Sequence, residues 1–228
     1  MAPDVDPLAA RPATLTWSLV IPVKVLAQAK SRLTGLAGQN RSDFALAMAA
    51  DTIAATVQAD SVAAVIVITD DREVGDIAAG LGAIVLADTP GAGLNEALAH
   101  GAAYSEHRWP DRGRAGLAGD LPAVRPQELT AALAAAARVG TAFVPDADGT
   151  GTTLYAAAPG ARFKPAFGLA SRDRHLAGGA VDITTSEMAT GELAGLRRDV
   201  DTIDDLRVAA QIGLGPRTEA LVAAGSWV

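Results

Sequence analysis

Through the first two-thirds of the chain, short apolar runs alternate with segments of helical periodicity. WSLVIPV (17–23) is a continuous, largely β-branched run and predicts a buried strand. SDFALAMAADTIAATVQA (42–59) places its apolar residues at helical spacing, with Ser42 or Asp43 available as the cap. VAAVIVIT (62–69) predicts a second buried strand, REVGDIAAGLG (72–82) a helix ended by Gly82, and AIVLA (83–87) a third strand. LNEALAHGAAYSEH (94–107) predicts a helix. AGLA (115–118) reads as a weak strand running into Asp120, and RPQELTAALAAAARV (125–139) as another helix. Strands alternating with helices predict a mostly parallel sheet covered on both faces. In such sheets the ligand lies beyond the carboxyl ends of the strands, where Asp120 and the loop after VIPV fall.

The last third has a different rhythm. TAFVPD and TTLYAAA predict strands joined by the turn DADGTG. VDITT (181–185) and LRRDV (196–200) predict further short strands, and DDLRVAAQIG (204–213) and PRTEALVAAG (216–225) helices. This predicts a mixed extension of the same sheet. No linker, internal repeat or low-complexity block marks a second domain. Residues 1–14 read as a disordered tail and 15–228 as a single domain.

Composition narrows the chemistry. The chain has 228 residues, half of them hydrophobic, enough for one domain with a substantial core. A formal charge of −7 argues against nucleic acid or an anionic membrane as a partner, and an anionic ligand needs a local positive site. The absence of cysteine removes disulfides, thiolate zinc sites and cysteine nucleophiles, and fits a reducing cytoplasm. The start, MAPDVDPLAARPAT, lacks the pattern of a signal peptide, and the apolar run 62–68 is far too short to span a membrane.

Of the three lysines, Lys24 and Lys30 fall in PVKVLAQAKSRL (22–33), directly after the first strand and beside Arg32. Clustered there, they could neutralise the phosphates of a nucleotide, or form a solvated helix face. In RRDVDTIDDL (197–206), an extended backbone would point Asp199 and Asp201 to one face. A hard divalent cation would use such a pair; equally, Asp201 or Thr202 could cap the following helix. GTGTTL (149–154) could present N–H groups and hydroxyls to an anion, or simply turn a hairpin. FGLASRDRH (167–175) gathers Ser171, Arg172, Arg174 and His175 after Gly168 near a helix start, which suits an anion or an ordinary basic helix. GAGLNE (91–96) starts like a dinucleotide fingerprint but has Glu96 where the third glycine belongs, which disfavours an NAD enzyme. There is no Walker-type motif, and His100, His107 and His175 lack zinc-site spacing.

Taken in order, IPVKVLAQAKSRL, GLNEALAHG, GDLPAVRPQEL, GTGTTLYA, FGLASRDRH, GLRRDVDTIDDL and IGLGPRT resemble the guanylyltransferases of deazaflavin coenzyme F-420 biosynthesis. The resemblance runs from about Trp17 to about Thr218. It implies a Rossmann-like, GT-A-like nucleotidyltransferase α/β sandwich, with a mostly parallel central sheet and a mixed C-terminal extension. It also implies GMP transfer from GTP to phosphoenolpyruvate, giving enolpyruvoyl-2-diphospho-5'-guanosine and pyrophosphate, in the cytoplasm. The alternative acceptors are 2-phospho-L-lactate and 3-phosphoglycerate. A related nucleotidyltransferase with another acceptor, or a non-catalytic nucleotide-binding protein of the same fold, are the competing classes.

Carried over by residue, the resemblance places Mg²⁺ on Asp120, Asp199 and Asp201 and phosphoenolpyruvate on Thr152, Gly168 and Ser171. It places the nucleotide on Lys24, Lys30, Arg32 and Asn95, and makes Asp120, Lys24 and Lys30 the catalytic set. The partners it implies are GTP, the phospho-acid and the next transferase of the pathway.

Overall fold

A computed structural model describes residues 15–24, 38–89, 91–185 and 193–225. The elements, in chain order, are β1 (Trp17–Pro22), α1 (Gly38–Val57), β2 (Val62–Ile68), α2 (Arg72–Gly80), β3 (Ile84–Leu86), α3 (Leu94–Arg108), β4 (Gly113–Leu117) and α4 (Pro126–Val139). There follow β5 (Thr141–Val144), β6 (Leu154–Ala157), α5 (Ser171–Ala177), β7 (Val181–Asp182), α6 (Ala194–Arg197), α7 (Ile203–Ile212) and α8 (Pro216–Ala223).

The seven strands form one sheet in the order β3-β2-β1-β4-β6-β5-β7. β3, β2, β1 and β4 run parallel, β6 is antiparallel to both β4 and β5, and β7 is parallel to β5. The expected mixed extension is thus one reversed strand, made by the hairpin between β5 and β6. From β1 the chain moves outward to β2 and β3, then returns to place β4 on the other side. That reversal leaves a crevice above the carboxyl ends of β1 and β4.

Strand alternation sets the two cores. Trp17, Leu19 and Ile21 of β1 face a layer that includes Ile53 of α1, Val74 of α2 and Leu129 and Leu133 of α4. Val20 faces the other way, with Ala97 and Leu98 of α3 and the aromatic residues Phe143, Tyr155 and Phe167. A third cluster joins Phe44 and Met48 of α1 to Val200 and to Leu206 and Ala209 of α7. No helix among the described residues is long and apolar enough to cross a membrane.

Three expected elements differ most. The helix expected from Ser42 starts at Gly38, so neither Ser42 nor Asp43 caps it; its apolar face begins only at Phe44, which hid the earlier turn. VDITT is a strand only over Val181–Asp182 and then tightens into a 3-10 turn. The Asp182 carboxylate accepts from Thr184 N and Thr184 Oγ1, a side-chain-stabilised turn that competes with the ladder. LRRDV is not a strand: it begins in α6 and continues without a ladder, because Glu128 accepts from Gly195 N and fixes the helical turn. The tail, residues 1–14, lies outside the described residues.

Candidate active site

A cleft of about 820 Å³ opens above the ends of β1 and β4. Its floor is Pro22, Val23 and Lys24 from one strand end and Leu117 to Asp120 from the other. The two ends are locked side by side. A Cβ at Gly119 would stand 3.3 Å from Pro22 O, so the glycine permits the approach. Asp120 is held from behind: Leu121 N donates to Thr52 Oγ1 of α1 at 3.0 Å.

The second acidic segment docks onto this turn. Val200 N donates to Asp120 O at 3.1 Å, which sets Asp199 and Asp201 on the cleft wall beside Asp120. Glu128 of α4 fixes the approach, one oxygen accepting from Arg125 N and the other from Gly195 N, both at 2.8 Å. The cap of α7 is Thr202, in a reciprocal capping box with Asp205, and Asp201 lines the cleft. A fourth carboxylate, Asp146, comes from the β5–β6 turn, where it accepts from Thr150 N and Gly151 N.

These charges act on one another. Burial first, then Asp120, Asp201 and Asp146, push the Asp199 carboxyl up to about 7. Such a donor set favours a cation. Among the described residues, however, no group of three or more His, Asp or Glu side chains is arranged to hold a metal ion by itself. An ion here would complete its shell with phosphate oxygens and water, as Mg²⁺ commonly does.

The same cleft carries hydroxyls. Thr152 and Ser171 are both buried, and both line the cleft with Gly168. Thr152 Oγ1 lies 2.9 Å from His175 Nδ1, while Ser171 Oγ has no hydrogen-bond partner among the described residues. The loop bearing Gly168 is held in an unusual shape: Gly168 has φ of 109° and Ala170, a non-glycine residue, φ of 53°. Asn95 braces it, accepting from Phe167 N at 2.8 Å and donating to Phe167 O at 3.1 Å. Arg174 also donates to Phe167 O.

The cleft therefore brings together Lys24, Asp120, Thr152, Gly168, Ser171, Asp199 and Asp201. Lys30 and Arg32 lie outside the described residues. Asn95, expected on the nucleotide side, is not among the residues lining the cleft, and both its amide atoms are engaged by Phe167. Asp146 and Arg198 are among the lining residues that the sequence alone does not single out. Asp146 looked like an ordinary turn former. Arg198 was overshadowed by the aspartates after it; it lines the cleft and pairs with Asp205 at 3.4 Å.

Comparison with known proteins points the same way. A family model described as Guanylyl transferase CofC like matches residues 17–179. The phosphoenolpyruvate guanylyltransferase of Thermomonospora curvata is 54% identical over 211 residues, covering 92% of this chain and 90% of that protein. That of Streptomyces coelicolor is 51% identical over 210 residues, covering 92% of this chain and 97% of the other. Among solved structures, a nucleotidyl transferase from Methanothermobacter shares the fold with a TM-score of 0.55 at 19% identity, covering 86% of this chain and 97% of that one. The sheet described above is thus a nucleotidyltransferase fold.

Proposed function

The chain belongs to the CofC-like guanylyl transferase family, and from that premise we propose that it transfers GMP from GTP to phosphoenolpyruvate. The products are pyrophosphate and enolpyruvoyl-2-diphospho-5'-guanosine, a step in making deazaflavin coenzyme F-420. The observation that carries this reading is the shared cleft: the carboxylates of Asp120, Asp199 and Asp201 and the hydroxyls of Thr152 and Ser171 line it together. With a divalent cation on them the carboxylates suit a triphosphate, and the hydroxyls suit a small phospho-acid.

The reaction asks little proton chemistry of the protein. A phosphate oxygen of the acceptor attacks the α-phosphorus of GTP, and the bond to the bridging oxygen breaks as pyrophosphate leaves. Phosphomonoesters have a second pKa of about 6, so the nucleophile is already ionised near neutral pH. No general base is required. The barrier is the meeting of two anions and their alignment.

Lys24 stands at the end of β1, where it can meet the phosphates of GTP; Lys30 and Arg32 follow it in sequence. Asp120, Asp199 and Asp201 would hold a magnesium ion, which when bound supplies charge neutralisation at the triphosphate. The Thr152 and Ser171 hydroxyls and the Gly168 turn receive the acceptor. GTP supply and the cysteine-free composition suit the cytoplasm, and the reactive enol diphosphate favours handing the product to the next transferase. Purified protein with GTP, Mg²⁺ and phosphoenolpyruvate should release pyrophosphate. Release only with 2-phospho-L-lactate or 3-phosphoglycerate would overturn the choice of acceptor. Binding of GTP without release with any of the three would overturn the enzymatic reading.

A further inference from the structure

His175 is a buried imidazole with both ring nitrogens engaged. Nε2 accepts from the backbone N–H of Ala166 at 2.9 Å. A backbone amide can only donate, so Nε2 carries no proton and the neutral ring must carry it on Nδ1. Nδ1 lies 2.9 Å from Thr152 Oγ1, so the imidazole donates and the threonine accepts. A hydroxyl has one proton and two lone pairs. His175 occupies a lone pair and leaves the proton unused. Thr152 Oγ1 has no other partner among the described residues and sits on the cleft wall.

We propose that His175 is a positioning residue: its Nδ1–H fixes the Thr152 hydroxyl as a donor aimed into the cleft, toward the anionic phospho-acid. The inference rests on the acceptor reading above and adds the element that orders that wall. The ring is itself held rigidly. Tyr155 stacks on it at 4.6 Å between centroids, and Phe143 and Phe167 each lie 5.6 Å away. Burial in this aromatic box, then the Arg174 charge, lower its pKa to about 4, so the ring is neutral near pH 7. Through Ala166 the same ring is tied to the loop that carries Gly168 and Ser171. The unpartnered Ser171 Oγ supplies a second hydroxyl on that wall. Two donors with no acceptor among the described residues match a ligand group that only accepts, such as a carboxylate or phosphate.

The test separates the two ring nitrogens. His175→Gln can place its amide oxygen where Nε2 accepts from Ala166 N–H, but it removes the ring Nδ1–H that donates to Thr152. Its KM for phosphoenolpyruvate should rise about tenfold, the order expected for one hydrogen bond to a charged group, while kcat and the KM for GTP hold within about twofold. Thr152→Val should raise the same KM, and the double variant should match Thr152→Val alone, because the histidine acts only through that hydroxyl. Additive effects, or a joint change of kcat and both KM values, would overturn the inference in favour of a packing role. The wild-type protein gives an independent readout: ¹⁵N spectra of labelled histidine should show His175 protonated on Nδ1 near neutral pH, and an Nε2–H tautomer would overturn the inference. Absence of phosphoenolpyruvate transfer by the wild type would instead overturn the acceptor reading, and the inference with it.

Discussion

Glu128 holds the two acidic segments of the cleft together, although it touches neither acidic side chain. It sits in the first turn of α4, buried, with Oε2 on Arg125 N and Oε1 on Gly195 N. The second bond fixes the turn that leads to Asp199, and the fit is close, since a Cβ on Gly195 would clash with Ala123 O. A hydrogen bond to a charged group contributes about 1.5–3 kcal/mol, and an orphaned buried donor costs a similar amount. Glu128→Gln keeps the shape but turns an N–H₂ group toward one of the two backbone donors. It should destabilise the fold by roughly 1.5–3 kcal/mol, and Glu128→Ala, which abandons both donors, by roughly 3–6 kcal/mol. Urea unfolding reads these differences as a lower midpoint at unchanged slope. In the Gln variant, turnover should also fall well below that of the wild type under conditions where both are folded. A loss under about 0.5 kcal/mol would refute the claim that Glu128 fixes this junction.

Other variants test separate parts of the account. Asp199 titrates at about 7 in the folded protein against an ordinary 3.8, so the folded state holds a proton that the unfolded chain gives up across that window. Stability from this group is therefore lost as pH rises, and Asp199→Asn should raise the melting temperature in chelator at about pH 8 while abolishing transfer; an unchanged or lower melting temperature would contradict the electrostatic reading. His175 has the opposite consequence: its folded pKa of about 4 lies below the ordinary 6.5, so the unfolded chain binds a proton first and stability falls as pH drops through that interval. Urea titrations of the wild type should show this slope, and those of His175→Gln should show less of it. Gly116→Ala would place a Cβ 2.7 Å from Leu98 Cδ2, and overpacking of this kind should cost about 1–3 kcal/mol in the same assay.

The alternation of apolar strands and amphipathic helices was legible because β1 and β2 are buried and β-branched. β4 was harder. Its sequence, GRAGL, looks too poor in bulk for a central strand, and it was expected to begin two residues later. The structure supplies the reason: Gly113 lies beneath the Trp17 ring and Gly116 beneath Leu98, so the missing side chains make room for neighbours. The resemblance to a known family gathered Thr152, Gly168 and Ser171 with the three aspartates, and one cleft does unite them. The link from Asp120 O to Val200 N and the support from Glu128 spans 67 or more residues, beyond any local pattern. His175 was visible in FGLASRDRH only as part of a basic cluster; its role depends on Ala166 and Thr152, brought together by the loop and the hairpin.

The central claim is that the carboxylates and the hydroxyls of the shared cleft serve one transfer. Its most direct test follows pyrophosphate release from GTP and Mg²⁺ with phosphoenolpyruvate, 2-phospho-L-lactate and 3-phosphoglycerate supplied separately, for the wild type and for Asp120→Asn. The account predicts release by the wild type with phosphoenolpyruvate, and a loss of several orders of magnitude in a variant that still folds. Near-normal release from folded Asp120→Asn, or none from the wild type with any acceptor, would contradict it.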